Sequence, residues 1–390
     1  MTHNPTRLGR YENTIVGEHT MRAYMPPSLP PDPPIALAGL HAILAKADQA
    51  LGRLNGFTVA LPEPPPFRSM YVRKEALLSS RIDGAQSSLA DLLLFETDIP
   101  LGTPTDHVTA VSGCVAAIEF GMRRLREGEA LSAQLLKDVH AVLIGKGPGQ
   151  DKGPGEFRRC AVWIGGTRAG HGRFVPPPPH LVGPAVEELI EFIHTDHPDL
   201  PILVKAALVQ AQFENIQPFL VGNGRLGRML ISFLLCEQGV LREPMLFSSL
   251  YLKQNRQRYY ELLQTVREFG AWEDWLAFFL RGIVETADLA IAGGCEIQRL
   301  FRRDHDKIAA VGWTLANALP VHALLQRRGL IAIPGAAREL GLSQPTVASM
   351  LVRLAQLGIA KETTGRRRDR IYAYDAYLNI LNDGTEAAAA

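Results

Sequence analysis

The stretch FENIQPFLVGNGRLGRML limits what this chain can fold into more than any other part of the sequence. Gly222, Asn223 and Gly224 tolerate a positive φ and lead directly into a long apolar run, so the sequence predicts a loop that opens a helix. Free N–H groups and the positive end of the helix dipole favour an anion there, and Arg225 and Arg228 are close enough to neutralise it. These residues indicate a phosphate-binding loop, although glycine and asparagine also form turns for purely structural reasons.

The size and charge of the chain exclude several classes of protein. Its 390 residues suffice for two or three domains with a sizeable core. With 41 basic and 40 acidic side chains the net charge is +1, which indicates neither a general nucleic-acid binder nor a membrane-surface protein but leaves a local patch open. No apolar run approaches the roughly 20 residues of a membrane span, and the N-terminus lacks the hydrophobic stretch of a signal peptide.

The cysteines and histidines do not indicate a metal site. The four cysteines are scattered and never form a CxxC pair, so the sequence predicts neither a zinc site nor a disulfide framework. This usage is typical of a reducing compartment, and we predict a cytoplasmic protein without a membrane partner. His140 lies on the apolar face of a predicted helix and is interpreted as a core residue, because no acidic or histidine partner lies near it at helical spacing.

Hydrophobic periodicity and proline-rich breaks divide the chain into six predicted segments. The first segment is polar and ends in MPPSLPPDPP, which cannot hold a helix and is expected to lie extended over the surface. The remaining segments are mostly helical, so the sequence predicts an all-α protein with a short hairpin flap and a small α/β unit near its end. The segments are a flexible arm (1–34), an N-terminal helical region (35–105), a main helical domain (106–283), a connecting helix (284–319), a helix-turn-helix domain with strands (320–380) and a disordered tail (381–390).

The hairpin flap is predicted in the stretch CAVWIGG. Glycine and proline crowd both sides of this stretch, and its β-branched and aromatic residues suit a short hairpin or an extended segment around Val162, Trp163, Ile164 and Gly165. The alternative is an ordinary surface loop that prolines close.

A helix end is predicted in the stretch MYVRKEALLSSRIDGAQSSL. The helix stops at Gly84, because glycine adopts the left-handed conformation that ends helices. Ser87 or Ser88 then caps the next helix, since a serine hydroxyl accepts a hydrogen bond from the first turn.

The C-terminal part predicts two helices that a tight turn joins at Gly341, with the spacing of a helix-turn-helix. Ser343 is the expected cap of the second helix, and Gln344, Thr346 and Arg353 lie on the polar face of that helix. A turn between two strand-like runs follows and carries an arginine cluster, Arg366, Arg367, Arg368 and Arg370. A recognition helix beside basic residues indicates contact with a nucleic-acid backbone, whereas the same architecture also serves for dimerisation or protein docking.

The loop stretch resembles the signature of the Fic (Fido) family, usually written HPFxxGNGRxxR. The matching residues are Pro218, Phe219, Gly222, Asn223, Gly224, Arg225 and Arg228. The resemblance implies a Fic domain over 106–283, in which this loop binds the phosphates of ATP. A histidine of that family deprotonates a hydroxyl group of a target protein, and AMP is transferred to it. Gln217 occupies the place of that histidine, and Val221 occupies the place of an acidic residue that holds Mg²⁺ in the family.

Two further stretches resemble parts of full-length Fic proteins. Ser79, Asp83 and Gly84 match an inhibitory motif, in which an acidic residue pairs with the second arginine of the signature and blocks the γ-phosphate of ATP. Aspartate keeps the charge of the family's glutamate but is one methylene shorter, so its reach to Arg228 is open. The stretch around CAVWIGG matches the flap that receives a target peptide by strand addition.

The resemblance also implies further binding residues and partners. Tyr251, Asn255 and Tyr259 are the candidates for an adenine pocket, although aromatic residues at helical spacing more often belong to the core. Full-length Fic proteins often carry a winged-helix tail, which implies a winged helix here with the arginine cluster as its wing. The implied partners are a nucleotide, a protein target or the chain itself at the flap, DNA at the winged helix, and a second copy of the chain in a homodimer.

The two departures from the Fic signature, Gln217 and Val221, affect AMP transfer and Mg²⁺ binding but not ATP binding. A glutamine amide cannot accept a proton near neutral pH, whereas histidine can, and the loss of a general base typically costs about 10²- to 10⁴-fold in rate. Val221 removes a carboxylate for Mg²⁺, which argues against bound metal. ATP binding depends on neither residue, because the loop N–H groups and both arginines remain.

The leading hypothesis is therefore a nucleotide-binding pseudoenzyme on a protein adenylyltransferase (AMPylation) scaffold, which is weak or inactive in AMP transfer and acts as a nucleotide-sensing regulator. The first alternative is an active transferase of AMP or another phosphate-containing group that uses another base. The second alternative is a DNA-binding transcription factor whose Fic domain serves only for dimerisation.

Overall fold

The computed structural model of the chain describes residues 7–16, 19–60, 68–97, 105–165, 174–311, 315–366 and 370–383. Within these ranges the protein is mostly helical and carries two small antiparallel sheets, which confirms the predicted fold class. None of the described helices combines the length and hydrophobicity that a membrane span requires. All four cysteines are free thiols.

The N-terminal segment forms a hairpin of two antiparallel strands, β1 (Arg10–Val16) and β2 (His19–Met25). The structure differs here from the flexible arm that the sequence predicts for residues 1–34. Alternate residues of β2 are buried against Val175, and the Tyr24 N–H donates to the Val175 carbonyl over 2.8 Å. An apolar face with the period of a strand therefore packs on the main domain, although the segment as a whole is polar.

Helices α1 to α10 build the N-terminal region and the main domain. They are α1 (His41–Val59), α2 (Arg68–Ile82), α3 (Leu89–Phe95), α4 (Asp106–Arg126), α5 (Ala133–Ile144), α6 (Pro179–His194), α7 (Ile202–Ile216), α8 (Asn223–Glu237), α9 (Ser249–Gln254) and α10 (Arg256–Phe269). Helix α2 ends just before Gly84, which has φ +99°. Ser88 caps α3 in a capping box with Asp91. The predicted helix end and serine cap are thus confirmed.

Helices α7 and α8 lie at the centre of the core. Every residue of α7 from Leu203 to Ile216 is buried. Helix α8 approaches α7 closely at Gly227, where an added Cβ would lie 3.0 Å from Cδ1 of Phe213. The residues of α8 that the sequence predicts to point inward are all buried: Leu226, Met229, Leu230, Phe233 and Leu234. The core therefore holds the loop between α7 and α8 from both ends.

Helix α11 (Trp272–Ala310) is one helix of 39 residues, roughly 58 Å long at about 1.5 Å per residue. Trp272 and Trp275 are fully buried near its start, and Ile297 is fully buried in its second half. The predicted boundary between the main domain and the connecting helix, at 283/284, therefore falls inside a continuous helix. The buried apolar face of α11 continues past residue 284, where the change in composition suggests a boundary. The helix therefore continues as well.

The C-terminal unit, residues 315–383, has short helices around a small sheet. Its elements are α12 (Leu315–Arg328), β3 (Leu330–Ala332), α13 (Ile333–Leu340), α14 (Gln344–Gln356), β4 (Lys361–Glu362), β5 (Ile371–Ala373) and α15 (Asp375–Asn382). The strands form one antiparallel sheet in the order β3-β5-β4. Gly341, with φ +64°, makes the turn between α13 and α14, and the Ser343 hydroxyl accepts from the Thr346 N–H at 3.2 Å. The predicted turn and cap are therefore present.

The C-terminal unit packs on α11 through a buried polar and aromatic cluster. The Tyr374 hydroxyl donates to Asp304 over 2.8 Å, and the Tyr374 ring stacks on Phe301 with 5.8 Å between ring centroids. Tyr377 meets the same Phe301 ring edge-on at 5.0 Å. The C-terminal unit and the main domain thus share one hydrophobic core.

Candidate functional site

Residues 217–222 form the loop that joins α7 to α8. Gln217 ends α7 in the left-handed conformation with φ +47°, and Gly222 precedes α8 with φ +81°. The Asn223 side chain closes the loop, because its Oδ1 accepts from the Phe219 N–H at 2.9 Å and its Nδ2 donates to the Phe219 carbonyl at 2.8 Å. A glutamine adopts the left-handed region only when its surroundings hold it there, so Gln217 is a strained residue.

His140 supports the loop from the interior of the protein. It is fully buried, and its ring stacks 3.7 Å from the ring of Phe219. Its Nδ1 accepts from the Gly155 N–H at 3.0 Å, which leaves the proton on Nε2, and Nε2 donates to the Val221 carbonyl at 3.0 Å. Burial lowers the pKa of His140 to about 4, so the ring is neutral. The interpretation as a core residue is confirmed, and its bonds to the loop are an addition that the sequence did not reveal.

Arg158 connects the loop to both ends of the flap. Its guanidinium group is almost fully buried and donates to four carbonyl groups: Gln217 (2.8 Å), Ile216 (3.3 Å), Cys160 (3.3 Å) and Pro177. Burial lowers the pKa of Arg158 to about 10, and the side chain stays charged at neutral pH. Because Cys160 and Pro177 flank the flap, one charged group fixes the flap and Gln217 relative to each other.

The N-terminus of α8 is the candidate anion position. No side chain in the described part of the chain caps this helix, so the N–H groups of its first turn are available to a ligand. Gly224 keeps the approach open, since an added Cβ would lie 2.9 Å from Nη1 of Arg228 and 3.1 Å from Oδ1 of Asp83. The buried Nε of Arg225 has no hydrogen-bond partner among the described residues and lies 3.5 Å from Oδ2 of Asp83. The structure thus brings the predicted loop residues together around one carboxylate.

Arg228 holds the end of α2. Its Nη2 donates to Oδ1 of Asp83 at 3.0 Å and to the Ser79 carbonyl at 2.8 Å, and its Nε donates to the Ser79 hydroxyl at 2.8 Å. Burial by itself lowers the pKa of Arg228, but the nearby Asp83, Tyr259 and Glu214 outweigh it and raise the pKa above its usual value. The aspartate therefore reaches Arg228 despite its shorter side chain. An inhibitory effect of this contact stays a prediction.

Gln217 is hydrogen-bonded to Glu214, one turn earlier on α7. Its Nε2 donates to Oε2 of Glu214 at 2.7 Å and to the Glu214 carbonyl at 3.2 Å. The Tyr259 hydroxyl donates to Oε1 of Glu214 at 3.1 Å. Both amide protons of Gln217 are thereby used, and its Oε1 remains as a hydrogen-bond acceptor. Sequence reasoning missed Glu214, although its spacing of three residues before Gln217 on a helix could have indicated it.

The candidates for an adenine pocket lie mostly in the core. Tyr259 is fully buried and its hydroxyl donates to Glu214, because aromatic surface at helical spacing gains most when it packs inward. Its role in a nucleotide pocket stays a prediction. Tyr251 is 7% exposed and its ring lies 4.9 Å from that of Phe278, while the Asn255 amide donates to the Tyr251 carbonyl at 3.0 Å. The roles of Tyr251 and Asn255 stay predictions.

Val221 places an apolar side chain at the position of the implied metal ligand. It packs against the core, and its Cγ2 lies 3.1 Å from where a Cβ on Gly149 would stand. Across the described ranges, no group of three or more acidic, histidine or cysteine side chains is placed to hold a metal ion. Val221 thus supplies no carboxylate oxygen of the kind that Mg²⁺ takes as a protein ligand, and the absence of bound Mg²⁺ stays a prediction.

The predicted flap has an exposed edge near the loop. Ile164 and Phe174 exchange backbone hydrogen bonds of 2.8 and 3.1 Å as the two arms of an antiparallel bridge. Trp163 and Ile164 are 36% and 37% exposed, and Gly165 has φ +73°. Residues 166–173, between the two arms, lie outside the described ranges. Binding of a target peptide to this edge stays a prediction.

The residues predicted to contact DNA lie on the C-terminal unit, and the structure does not join them to the loop. Gln344 is exposed at the start of α14, whereas Thr346 and Arg353 are half-buried on the same helix. Arg366 is exposed after β4. Two further predicted residues lie outside the described ranges: Arg367 and Arg368.

Comparison with known proteins identifies the class of this protein. The family model described as "Fic/DOC family N-terminal" matches residues 41–123, and the model described as "Fic/DOC family" matches residues 130–235. The first range contains Ser79 and Asp83, and the second contains the whole loop with Arg228. The chain belongs to the Fic/DOC family, which confirms the resemblance seen in its sequence.

Solved structures share the fold at low sequence identity. A Fic family protein from Desulfovibrio desulfuricans superposes with a TM-score of 0.53 and 18% identity, over 85% of this chain and 95% of that one. A Fic domain containing signaling protein from Bacteroides thetaiotaomicron superposes with a TM-score of 0.50 and 17% identity, over 65% of this chain and 97% of that one.

Relatives with similar sequences include protein adenylyltransferases. A probable protein adenylyltransferase from Aquifex aeolicus is 27% identical over 214 residues, which are 55% of this chain and 60% of that protein. The protein adenylyltransferase Fic from Drosophila ananassae is 31% identical over 211 residues, which are 53% of this chain and 39% of that protein. The chain therefore spans 60% or less of the length of these relatives and shares an AMPylation-type scaffold with them.

Proposed function

We propose that this protein binds the phosphates of ATP at the N-terminus of α8 and transfers AMP weakly or not at all, so that it acts as a nucleotide-sensing regulator. One observation carries the proposal: a helix N-terminus without a side-chain cap among the described residues, with the half-buried Arg225 and the buried Arg228, lies beside Gln217, whose side chain offers only a hydrogen-bond acceptor. The adenylyltransferase relatives support the choice of nucleotide.

The charges at the site support binding of an anion with several negative groups. Arg225 keeps its buried Nε without a hydrogen-bond partner among the described residues, and Arg228 lies at the same helix N-terminus. A triphosphate would compete with Asp83 for these two arginines, since the Asp83 carboxylate lies within 3.5 Å of both. Nucleotide binding therefore requires that Asp83 move aside or share the arginines.

The groups around Gln217 argue against proton abstraction. Its Oε1 can accept a hydrogen bond from a target hydroxyl but cannot take the proton near neutral pH. Glu214 is not a free base, because Gln217 and Tyr259 already donate to its two carboxylate oxygens. Val221 supplies no carboxylate for Mg²⁺, so the phosphate charge is left to the two arginines and the helix N-terminus.

Calorimetry with ATP, with and without Mg²⁺, tests this proposal together with transfer of a radiolabelled α-phosphate to protein. We expect binding without transfer, and loss of binding in Arg228→Gln but not in the control Arg299→Gln, an exposed arginine on α11. Transfer at a substantial rate would support the alternative of an active transferase with another base. Absence of binding by the wild-type chain and by Asp83→Asn would reject the proposal.

A second proposed function is DNA binding by the C-terminal unit as a winged helix. The supporting observation is the order of its elements: α13, a tight turn, the serine-capped α14, and then β4 and β5 on either side of the arginine cluster. Fluorescence anisotropy with a labelled DNA duplex at several salt concentrations is the test. We expect salt-dependent binding that falls when Arg366, Arg367 and Arg368 are changed to Gln, with a slope smaller by about 0.9 for each lost phosphate contact. Unchanged binding would reject the role of the arginine cluster, and no binding would favour a docking or dimerisation role.

A further inference from the structure

Helix α2 joins the anion position to the C-terminal unit. Its last turns carry Ser79, and Asp83 follows directly, with its carboxylate between Arg225 and Arg228. Its first turns contact the C-terminal unit through side-chain hydrogen bonds and close packing. A single helix thus touches both the site of the proposed nucleotide binding and the unit that lies last in the chain.

Two side chains of α2 bond to backbone groups of the C-terminal unit. The Ser69 hydroxyl donates to the Arg327 carbonyl at 3.0 Å, near the end of α12. The Lys74 ammonium donates to the Asp383 carbonyl at 3.1 Å, just after α15. Because Ser69 and Lys74 lie on successive turns of α2, they hold the unit at two places along the helix.

Close packing adds to these two bonds. Gly329 lies so near to Met70 that an added Cβ would stand 2.9 Å from Cε of Met70, and Met70 is fully buried. The C-terminal unit and α2 are therefore in direct contact at this point, through the end of the Met70 side chain.

Helix α2 is continuous and unkinked between its two contacts. It contains neither glycine nor proline, which are the usual causes of kinks, and most of its residues from Met70 to Ile82 are buried. The rise from Ser69 to Asp83 is roughly 21 Å at about 1.5 Å per residue. We therefore expect a movement at the first turn of α2 to change the position of Asp83, which follows the helix directly.

We propose that the C-terminal unit, seated on α2, holds Asp83 in the anion position and thereby sets the affinity of that position for a nucleotide. This inference rests on the proposed nucleotide binding at α8. A partner that moves the C-terminal unit changes nucleotide affinity, and the nucleotide changes the affinity for that partner by the same factor, because equilibrium coupling is reciprocal.

A double-mutant cycle with ATP as the probe tests the coupling. The variant Ser69→Ala/Lys74→Met removes both bonds to the C-terminal unit and keeps most of the apolar stems, and Lys46→Met on the exposed face of α1 is the control. We expect the double variant to bind ATP about three- to tenfold more tightly than the wild-type chain, a coupling of ordinary size. In an Asp83→Asn background the same change should have no effect. An equal change in both backgrounds, or no change in the wild-type background, overturns the proposal.

Hydrogen–deuterium exchange of the full chain without nucleotide gives a second, independent test. We expect the amides of residues 79–86 to exchange at least about threefold faster in the double variant than in the wild-type chain or Lys46→Met, because the end of α2 is released. Unchanged exchange overturns the proposal. If Asp83→Asn does not bind ATP, the proposed nucleotide function fails, and the exchange measurement still decides whether the C-terminal unit holds Asp83.

Discussion

The side-chain amide nitrogen of Gln217 lies 2.7 Å from a carboxylate oxygen of Glu214. Glu214 is buried, and burial raises its pKa although Arg228 opposes this effect. A carboxylate in this place could orient an imidazole at position 217 and stabilise the protonated form of the ring, as carboxylates do behind catalytic histidines. The surroundings of position 217 would therefore support a histidine as general base, a role that glutamine cannot fill.

We expect Gln217→His to raise AMP transfer by about 10²- to 10⁴-fold over the wild-type chain, the usual contribution of a general base. Labelled ATP with the protein itself or a protein mixture as acceptor gives the rate. Gln217→Asn is the control, because it keeps an amide. A histidine variant that binds ATP but transfers no faster than Gln217→Asn would contradict the argument.

Glu214 gives this restored site a measurable pH dependence. We expect the imidazole pKa in Gln217→His, followed by NMR, to fall when Glu214→Gln is added, because the neighbouring carboxylate that favours the charged ring is lost. The rate of AMP transfer by Gln217→His should also fall when Glu214→Gln is added. An unchanged imidazole pKa would mean that Glu214 only packs beside residue 217.

Asp83→Asn should strengthen ATP binding. The change removes a negative charge that lies 3.0 Å from Arg228 and 3.5 Å from Arg225 but keeps the shape of the side chain. We expect an affinity gain of about five- to thirtyfold, or about 1 to 2 kcal/mol. Calorimetry measures it, with Asp306→Asn on the exposed face of α11 as the control. Equal affinities for both variants would show that Asp83 does not compete with the nucleotide.

Glu75 should make stability depend on pH. This buried side chain accepts hydrogen bonds from Ser249, and burial raises its pKa to about 7 despite those bonds and the charge of Arg228. The folded pKa lies above the unfolded value of about 4.3, so the folded state retains the proton between these values. The stabilisation is fully present below the unfolded pKa and is lost as the pH rises through about 7.

Glu75→Gln removes this titration. Between pH 5.5 and 8 we expect the free energy of unfolding of the wild-type chain to fall relative to that of the variant by about 2 kcal/mol. Urea denaturation at the two pH values measures the difference, and Glu296→Gln, at an exposed position, is the control. A constant difference between wild type and Glu75→Gln at both pH values would contradict the assigned pKa.

His140→Phe should destabilise the loop although it keeps an aromatic ring against Phe219. The variant leaves the Gly155 N–H and the Val221 carbonyl without their buried partner. We expect a loss of about 2 to 4 kcal/mol in the free energy of unfolding, together with weaker ATP binding. Chemical denaturation and calorimetry test this, with the exposed His41→Phe as the control. A fully stable variant would show that the loop holds its shape without the histidine.

Local patterns predicted much of the fold correctly. The end of α2 at Gly84, the Ser88 cap and the turn at Gly341 follow from residues within four positions of one another, because caps and turns are made by neighbouring backbone groups. The buried face of α8 follows from the period of its apolar residues in the same way.

Predictions that depended on distant packing were less successful. The polar segment 1–34 contains a hairpin, since a few alternate apolar residues find a partner surface around Val175 that composition does not reveal. The bond of the buried Tyr259 to Glu214 could not be predicted either, because periodicity distinguishes buried from exposed faces but does not say what a buried face contacts.

At the candidate site, the sequence and the tertiary structure determine different features. The loop and its two arginines could be identified from residue types and short spacings alone, since one loop–helix junction contains them. The missing base at Gln217 was identified from the resemblance to the Fic family. That Asp83 and Ser79 contact Arg228 depends on the path of the chain, because 145 and 149 positions separate them from it. The bonds of Glu214 to Tyr259 and of Ser69 to Arg327 likewise join residues 45 and 258 positions apart. Such contacts exist only after the helices have packed, since packing alone determines which distant side chains meet.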